Sequence, residues 1–269
     1  MSQQVEVALI GTGVMGEAIL GSLVAAVGAD RVRIADPRTE HGQGVAKRHG
    51  VAWAGSNAQA VDGASVVILA VKPKDVAAVC DQICHPMAPG TLLVSVAAGI
   101  TTSFLAQHLR ADTPVVRVMP NTPATIGRGI AALSPGSAAT DAHTELVGEL
   151  LSGTGATVVV PESQQDVVTA ISGSGPAYVF YLLESMRDAG IAGGLDPHLA
   201  LQLAQHTVAG AAELALGSQD DPAVLRERVT SPGGTTLAAI TELDARRVRD
   251  AIASAAQKAW ERAAELGQG

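Results

Sequence analysis

Two patterns of apolar and polar positions follow one another along the chain. Up to about residue 160, short apolar runs of strand length alternate with longer stretches whose apolar residues recur at helical spacing. We predict strands at residues 5–10, 31–35, 50–53, 65–70, 91–96, 114–119, 129–133 and 154–160. The run at 65–70 is continuous and rich in β-branched residues, which is typical of a strand covered on both faces. Strands that alternate with helices in this way predict an α/β fold with a doubly wound sheet.

The alternation ends near Pro161, and every later segment has a helical pattern. Helices are predicted at 17–27, 40–49, 101–109, 140–151, 163–171, 175–190, 196–217, 221–229, 233–242 and 244–266, with another after Asn57, a candidate cap. We therefore expect a Rossmann-type dinucleotide-binding domain at residues 1–161 and an all-α domain at 162–269. The helices at 175–190 and 196–217 are apolar nearly all round. Such helices are buried, so we expect an obligate homodimer formed through them.

A glycine pattern joins the first predicted strand to the first predicted helix. Gly11, Gly13 and Gly16 stand in the order G-x-G-x-x-G, with Thr12, Val14 and Met15 between them. In this context the first glycine permits a tight turn, the second lets the backbone approach a pyrophosphate, and the third allows close packing of helix on strand. The helix start then offers free N–H groups to phosphates. This turn is therefore predicted to bind a dinucleotide, although a purely structural turn could have the same pattern.

The end of the second predicted strand contains two signals that conflict. An acidic residue there would bind the ribose 2′-hydroxyl of NAD, and a nearby Arg would accept the 2′-phosphate of NADP. Asp36 and Arg38 supply one of each. The cofactor is therefore predicted to be NADPH or NADH, with the choice left open at this point.

Further candidates for cofactor contact follow other predicted strands, where ligands of such sheets bind. They are Ala70, Val71, Lys72 and Pro73 after the fourth strand, Ala97, Ala98 and Gly99 after the fifth, and Asn57 and Asn121. The small residues of the second group would leave room for a flat ring.

A second glycine-rich stretch, Ser231-Pro232-Gly233-Gly234-Thr235-Thr236, precedes an apolar helix in the helical half. Ser231 is the expected N-cap and Pro232 the first helical residue. Glycines in a first helical turn lower helix stability but expose backbone N–H groups to an anion such as a carboxylate. The hydroxyls of Ser231, Thr235 and Thr236 could add donors. A simple turn between helices is the alternative.

Composition narrows the class of protein. Hydrophobic residues make up 47% and the formal net charge is −8, so no basic footprint for nucleic acid or an anionic membrane is expected. The N-terminal residues run straight into the first predicted strand, which leaves no room for a signal peptide and favours a cytoplasmic location. Two cysteines, Cys80 and Cys84, and seven dispersed histidines give no metal-ligand spacing. We therefore predict no metal site.

Five segments together resemble the pyrroline-5-carboxylate reductase family. They are the glycine turn, the Ala70–Pro73 step, Met-Pro-Asn-Thr-Pro at 119–123, Ser-Gly-Ser-Gly-Pro-Ala-Tyr at 172–178, and residues 225–244 with the Ser-Pro-Gly-Gly-Thr-Thr core. The resemblance covers the whole chain in order, and the last segment is the most specific.

This resemblance implies an oxidoreductase that reduces the ring imine of 1-pyrroline-5-carboxylate to L-proline with NADPH or NADH, the last step of proline biosynthesis. It implies cofactor contacts at the glycine turn, at the end of the second predicted strand, at Asn57, and along the backbone of the Ala70–Pro73 and Ala97–Gly99 steps. It places the substrate carboxylate on Ser231, Gly233, Gly234, Thr235 and Thr236, with the Thr236 hydroxyl beside the ring nitrogen. An intertwined dimer that assembles further, commonly into a decamer, is also implied. NADPH is slightly favoured, although Asp36 departs from the small polar residue of some NADPH-preferring members.

Two rival functions fit parts of the pattern. A β-hydroxyacid dehydrogenase would share the architecture but needs a catalytic Lys on a helix of the second domain. The lysines here are Lys47, Lys72, Lys74 and Lys258, which leaves none between 75 and 257. A non-enzymatic NADP(H)-sensing regulator would have no reason to keep an anion-binding loop at Ser231–Thr236.

Overall fold

The computed structural model describes residues 5–267, and its first part is an eight-stranded sheet. The strands are β1 (Val7–Ile10), β2 (Val32–Ala35), β3 (Ala52–Trp53), β4 (Val66–Leu69), β5 (Leu92–Ser95), β6 (Val115–Met119), β7 (Gly129–Pro135) and β8 (Gly155–Val159). Their order across the sheet is β3-β2-β1-β4-β5-β6-β7-β8. The chain starts in the middle and winds outward in both directions, so the predicted doubly wound α/β architecture is confirmed.

Twelve α-helices lie in the described part of the chain. They are α1 (Val14–Val27), α2 (Thr39–His49), α3 (Asn57–Val61), α4 (Val76–Ile83), α5 (Thr102–Gln107), α6 (Asp141–Leu151), α7 (Gln165–Val168), α8 (Gly175–Ala192), α9 (Pro197–Leu216), α10 (Pro222–Arg228), α11 (Thr235–Ala245) and α12 (Val248–Leu266). The helix predicted at 163–171 is divided, because α7 continues into one π-helical turn at Thr169–Gly173.

The core lies on both faces of the sheet, as alternation along β1 shows. Val7 and Leu9 belong to one cluster, which α1 and α6 cover, while Ala8 and Ile10 belong to a second cluster with α4. Since side chains alternate between the faces of a strand, a strand buried on both sides must be apolar throughout. Because β1 pairs in parallel with both β2 and β4, the carboxyl ends of these three strands lie side by side at one edge of the sheet.

Three local predictions are wrong. Ser56, not Asn57, caps α3, because the Ser56 hydroxyl accepts a hydrogen bond from the Gln59 N–H at 3.2 Å. Gly234, not Ser231, is the N-cap of α11. Pro232 is consequently not the first helical residue, because the Ser231 carbonyl accepts from the Gly234 N–H at 3.1 Å in a turn that precedes the helix.

The chain divides into two compact units. One reaches to Ser174 and takes in the chain again from Ala259, and the other spans Gly175–Lys258. The boundary expected after residue 161 stays a prediction. Within the described residues, no helix is both long and apolar enough to cross a membrane.

The second unit exposes much apolar surface. Ala200 and Ala204 are the buried residues of α9. Large apolar side chains on α8 and α9, by contrast, are exposed: Val179, Phe180, Tyr181, Leu182, Ile191, Leu199, Leu203, Leu214 and Leu216. Exposed apolar side chains in such number usually mark an interaction site.

Candidate active site

The glycine turn after β1 is held so tightly that side chains are excluded at two of its positions. Gly11 has a φ of +94°, and a Cβ there would lie 2.6 Å from the carbonyl oxygen of Ala70. A Cβ on Gly16 would collide with the carbonyl oxygen of Gly11. The turn is therefore packed against both the end of β4 and the first turn of α1.

Gly13, the middle glycine, lies in a different environment. It is the N-cap of α1, and a Cβ built on it would meet nothing within 4 Å. The protein itself therefore does not require glycine here, whereas a phosphate lying against the helix start would. Val14, the first helical residue, is exposed, and Met15 packs against the core.

Asp36 is a buried hub that connects the end of β2 to the glycine turn. Its carboxylate accepts from the Thr12 N–H at 2.9 Å and the Thr12 hydroxyl at 2.8 Å. It also accepts from the Arg38 N–H at 2.9 Å and from Arg38 Nε and Nη2, both at 3.0 Å. Burial raises the pKa of Asp36, but the hydrogen bonds from Arg38 and Thr12 outweigh it and hold the pKa well below its usual range.

His41 is a residue of this region that sequence reasoning missed. Its Nε2 lies 2.8 Å from the carbonyl oxygen of Thr12, so α2 also contacts the glycine turn. The histidine stands alone in the sequence, and no spacing pattern signals a partner 29 positions away.

Two adjoining clefts at the carboxyl edge of the sheet bring many of the predicted cofactor residues together. One, of about 370 Å³, is lined by Gly11, Gly13, Asp36, Pro37, Arg38, Ala70, Val71, Lys72, Lys74 and Asp75. The other, of about 400 Å³, shares Asp36, Pro37, Val71 and Asp75 and adds Asn57. Asn57 donates to Gln82 Oε1 at 2.7 Å, a partner that the sequence did not indicate. Pro73 starts the short 3₁₀ turn that follows Lys72.

The segments after β5 and β6 do not line these two clefts. Ala97 is buried, Ala98 is exposed, and Gly99 has a φ of +77°. A Cβ on Gly99 would lie 3.3 Å from the carbonyl oxygen of Leu266, so the end of α12 packs against this turn. Asn121 bonds within the sheet region: its Oδ1 accepts from the Ile130 N–H at 3.0 Å, and its Nδ2 donates to the Ser172 carbonyl at 3.2 Å.

The predicted anion-binding loop lies in the second unit and is open. Gly233 adopts a left-handed φ of +70°, which turns the chain into α11. Ser231, Gly233 and Thr235 are exposed, and Gly234 and Thr236 are half-buried. The first N–H groups of a helix have no partner within it. Among the described residues, the Thr235 and Thr236 hydroxyls also have no hydrogen-bond partner, so α11 begins with a cluster of available donors.

Of the two free cysteines, Cys80 is buried and Cys84 is half-buried. Burial raises the pKa of the Cys80 thiol to about 12, so this group stays protonated. No cluster of three or more His, Cys, Asp or Glu side chains able to hold a metal ion occurs within residues 5–267.

Comparisons with known proteins match this arrangement. A family model for pyrroline-5-carboxylate reductase dimerisation matches residues 162–266, and one for coenzyme F420-dependent NADP oxidoreductases matches residues 6–99. The chain is 42% identical to the pyrroline-5-carboxylate reductase of Pseudomonas aeruginosa, over 97% of this chain and 98% of that protein.

Solved structures of pyrroline-5-carboxylate reductases are also similar to this chain. A pyrroline-5-carboxylate reductase from Coxiella burnetii has a TM-score of 0.94 and 32% identity, with 98% of this chain and 99% of that chain covered. The pyrroline carboxylate reductase of Plasmodium falciparum with NADP bound has a TM-score of 0.86 and 25% identity, with 98% of each chain covered.

Proposed function

The chain belongs to the pyrroline-5-carboxylate reductase family, and we propose that its reaction is the reduction of 1-pyrroline-5-carboxylate to L-proline by hydride transfer from NAD(P)H. Within the structure, the observation that carries this function is the open set of donors at the start of α11. The substrate has one carboxylate and one ring imine, and both groups can accept hydrogen bonds from donors of this kind.

We propose that the substrate carboxylate binds Ser231, Gly233, Gly234, Thr235 and Thr236. The left-handed turn at Gly233 presents the first N–H groups of α11, and a helix N-terminus stabilises a negative charge. The Thr236 hydroxyl would donate a hydrogen bond to the ring nitrogen, which makes the imine carbon a better hydride acceptor. A fixed carboxylate also orients the ring, and such positioning can remove several kcal/mol from a barrier.

We propose that the two clefts of the first unit hold the cofactor. The cradle fits a dinucleotide, because Gly11 and Gly16 admit no side chain while the space at Gly13 is open. When bound, the reduced nicotinamide supplies the hydride. The proposed contacts at these clefts are Gly11, Thr12, Gly13, Val14, Met15, Gly16, Arg38, Asn57, Ala70, Val71, Lys72 and Pro73, and those beyond the clefts are Ala97, Ala98, Gly99 and Asn121. NADPH is the proposed preferred form.

We further propose a homodimer formed through α8 and α9, whose apolar side chains are exposed on the single chain. Replacing Leu203, which is 50% exposed, by Glu should dissociate the dimer, because a charge would be placed in an apolar interface. Light scattering on the eluting protein measures the mass, and Gln202→Glu on the same helix is the control. An unchanged dimer in Leu203→Glu would exclude that part of α9 from the interface.

We also propose that dimers assemble into a decamer. A cytoplasmic location is proposed as well, and the two free thiols suit it.

The test of the reaction is the loss of reduced nicotinamide absorbance with 1-pyrroline-5-carboxylate, run in parallel with NADPH and NADH. Turnover that yields L-proline is the expected result. Cofactor binding without turnover on this imine would overturn the proposal and favour the sensing regulator.

A further inference from the structure

Asp36 has no capacity left for a further ligand. A carboxylate offers about four lone-pair sites to donors, and Asp36 already accepts five hydrogen bonds from Thr12 and Arg38. Its side chain is 2% exposed. A ribose hydroxyl could therefore bind Asp36 only by displacing a donor of the glycine turn or of Arg38.

Arg38 is in the opposite situation. Its side chain is 60% exposed, and two of its five N–H groups, on Nε and Nη2, are engaged with Asp36. The other three have no hydrogen-bond partner among the described residues. One edge of the Arg38 guanidinium group is thus held by the buried carboxylate of Asp36, and the N–H groups of its other edge can bind a ligand. Pairing with Asp36 also raises the pKa of Arg38, which keeps the group charged.

The surroundings of Arg38 favour an anion. It lines the same cleft as Gly13, Lys72 and Lys74, and the acidic residues of that cleft are Asp36 and Asp75. Even with the charges of Arg38 and Asp36 cancelling in their ion pair, Lys72 and Lys74 outnumber Asp75 in this cleft. An arginine fork of fixed orientation suits the geometry of a phosphate.

We infer that Asp36 is a positioning residue, which fixes the glycine turn through Thr12 and orients Arg38, and that Arg38 binds the 2′-phosphate of NADPH. This inference rests on the proposed function, since it concerns the cofactor of that reaction. An acidic residue at the end of the second strand ordinarily binds the ribose 2′-hydroxyl and favours NADH. In this protein the carboxylate of Asp36 instead favours NADPH, because it orients Arg38.

Binding of two nucleotides, adenosine 2′,5′-bisphosphate and adenosine 5′-monophosphate, tests the inference without the reaction. Calorimetry should show tighter binding of the bisphosphate to the wild-type protein. Arg38→Ala should weaken binding of the bisphosphate tenfold or more, which corresponds to the loss of about one hydrogen bond to a charged group. Binding of the monophosphate should not change. Arg48→Ala is the matched control, because Arg48 is an exposed arginine paired with Glu17 outside the clefts. Equal weakening of both nucleotides in Arg38→Ala would overturn the inference.

The two roles of Asp36 predict opposite kinetics for Asp36→Ser. If Asp36 positions Arg38, the KM for NADPH rises about tenfold, kcat changes little, and the preference for NADPH over NADH falls. If Asp36 binds the ribose hydroxyl, the preference shifts toward NADPH, and the inference is wrong. Asp36→Asn keeps the shape of the side chain and serves if the Ser variant does not fold.

Because nucleotide binding is measured without the imine, the outcomes stay separable. A protein that shows the 2′-phosphate effect but does not reduce 1-pyrroline-5-carboxylate would contradict the proposed function and support the role of Arg38. The converse result would contradict only the role of Arg38.

Discussion

The glycine turn of the first unit and the loop Ser231–Thr236 of the second unit are both glycine-rich helix starts, yet they are built in opposite ways. The first is closed by the protein: Thr12 is fully buried and bonded to Asp36, and Gly11 and Gly16 touch neighbouring backbone. The second is exposed, and a Cβ on Gly233 would meet nothing within 4 Å. One turn is shaped by contacts within the chain, whereas the other keeps its donors free.

The difference matches the two ligands that we propose. A dinucleotide is large and is held along an extended cleft, so its backbone cradle must exist before it binds. A small imino acid supplies its own acceptors to a few donors, and donors left without protein partners are the ones that a carboxylate can use. The glycine turn is therefore held in its binding conformation by packing within the chain. In the loop Ser231–Thr236 the donors are oriented by the start of the helix.

The largest expected effect comes from Gly16→Ala, because the new Cβ would strike the carbonyl oxygen of Gly11. We expect loss of detectable cofactor binding and a lower free energy of unfolding, by about 3 kcal/mol, as for other strained substitutions. Gly13→Ala is the matched control, since its Cβ has open space. It should lower the free energy of unfolding by no more than about 1 kcal/mol, the usual cost of Ala at an N-cap, but still weaken cofactor binding. Denaturant titration and cofactor titration measure the two effects, and equal stability of both variants would contradict the packing argument.

In the second region, Thr236→Ala should lower kcat by about a hundredfold, the usual effect of removing one donor that acts at the reacting group. Cofactor affinity should not change, because the proposed role of Thr236 is a hydrogen bond to the substrate. Thr236→Ser keeps the hydroxyl and should retain most of the activity. Steady-state kinetics decide the matter, and an Ala variant with wild-type kcat would remove Thr236 from the mechanism.

The smallest expected effect is on stability at low pH, where the buried carboxylate of Asp36 is compared with the exposed carboxylate of Glu242. The folded pKa of Asp36 is depressed, so its stabilising contribution is present above the unfolded pKa of about 3.9 and is lost as pH falls below it. The stability difference between wild type and Asp36→Asn should shrink in that range. Glu242, exposed and paired with Arg246 in the second unit, is the comparison. Glu242→Gln should alter stability by about 0.5 kcal/mol or less, as thermal unfolding at several pH values can show.

Sequence reasoning located the strands of the first unit to within a few residues. Buried parallel strands must be apolar on both faces, so β4 stands out as a continuous apolar run between polar residues. Helix starts were harder, because neighbouring residues can both act as caps. Ser56 and Asn57 are both good N-caps, and the backbone geometry selects Ser56. At α11 the left-handed turn at Gly233 precedes the helix, which starts at Thr235, three residues beyond Pro232.

The strand directions at the far edge of the sheet also depended on tertiary structure. β7 runs antiparallel to β6, with Val118 opposite Leu133, and β8 then runs parallel to β7. A segment of nine residues, 120–128, joins β6 to β7 and contains a 3₁₀ turn at Thr122–Ile126. A parallel crossover usually needs a dozen residues or more, so the short connection favours the antiparallel arrangement.

By itself the sequence determined the doubly wound sheet, the glycine turn and the donor-rich loop, because each follows from local spacing or from apolar periodicity. The family followed from the resemblance of five segments to known proteins. Only the tertiary structure decided which groups Asp36 bonds. The Thr12 N–H and hydroxyl lie 24 positions away in the chain and reach the carboxylate because β1 and β2 are adjacent in the sheet. The type of a residue determines which hydrogen bonds its side chain can make. Its actual partners depend on how distant segments of the chain pack together.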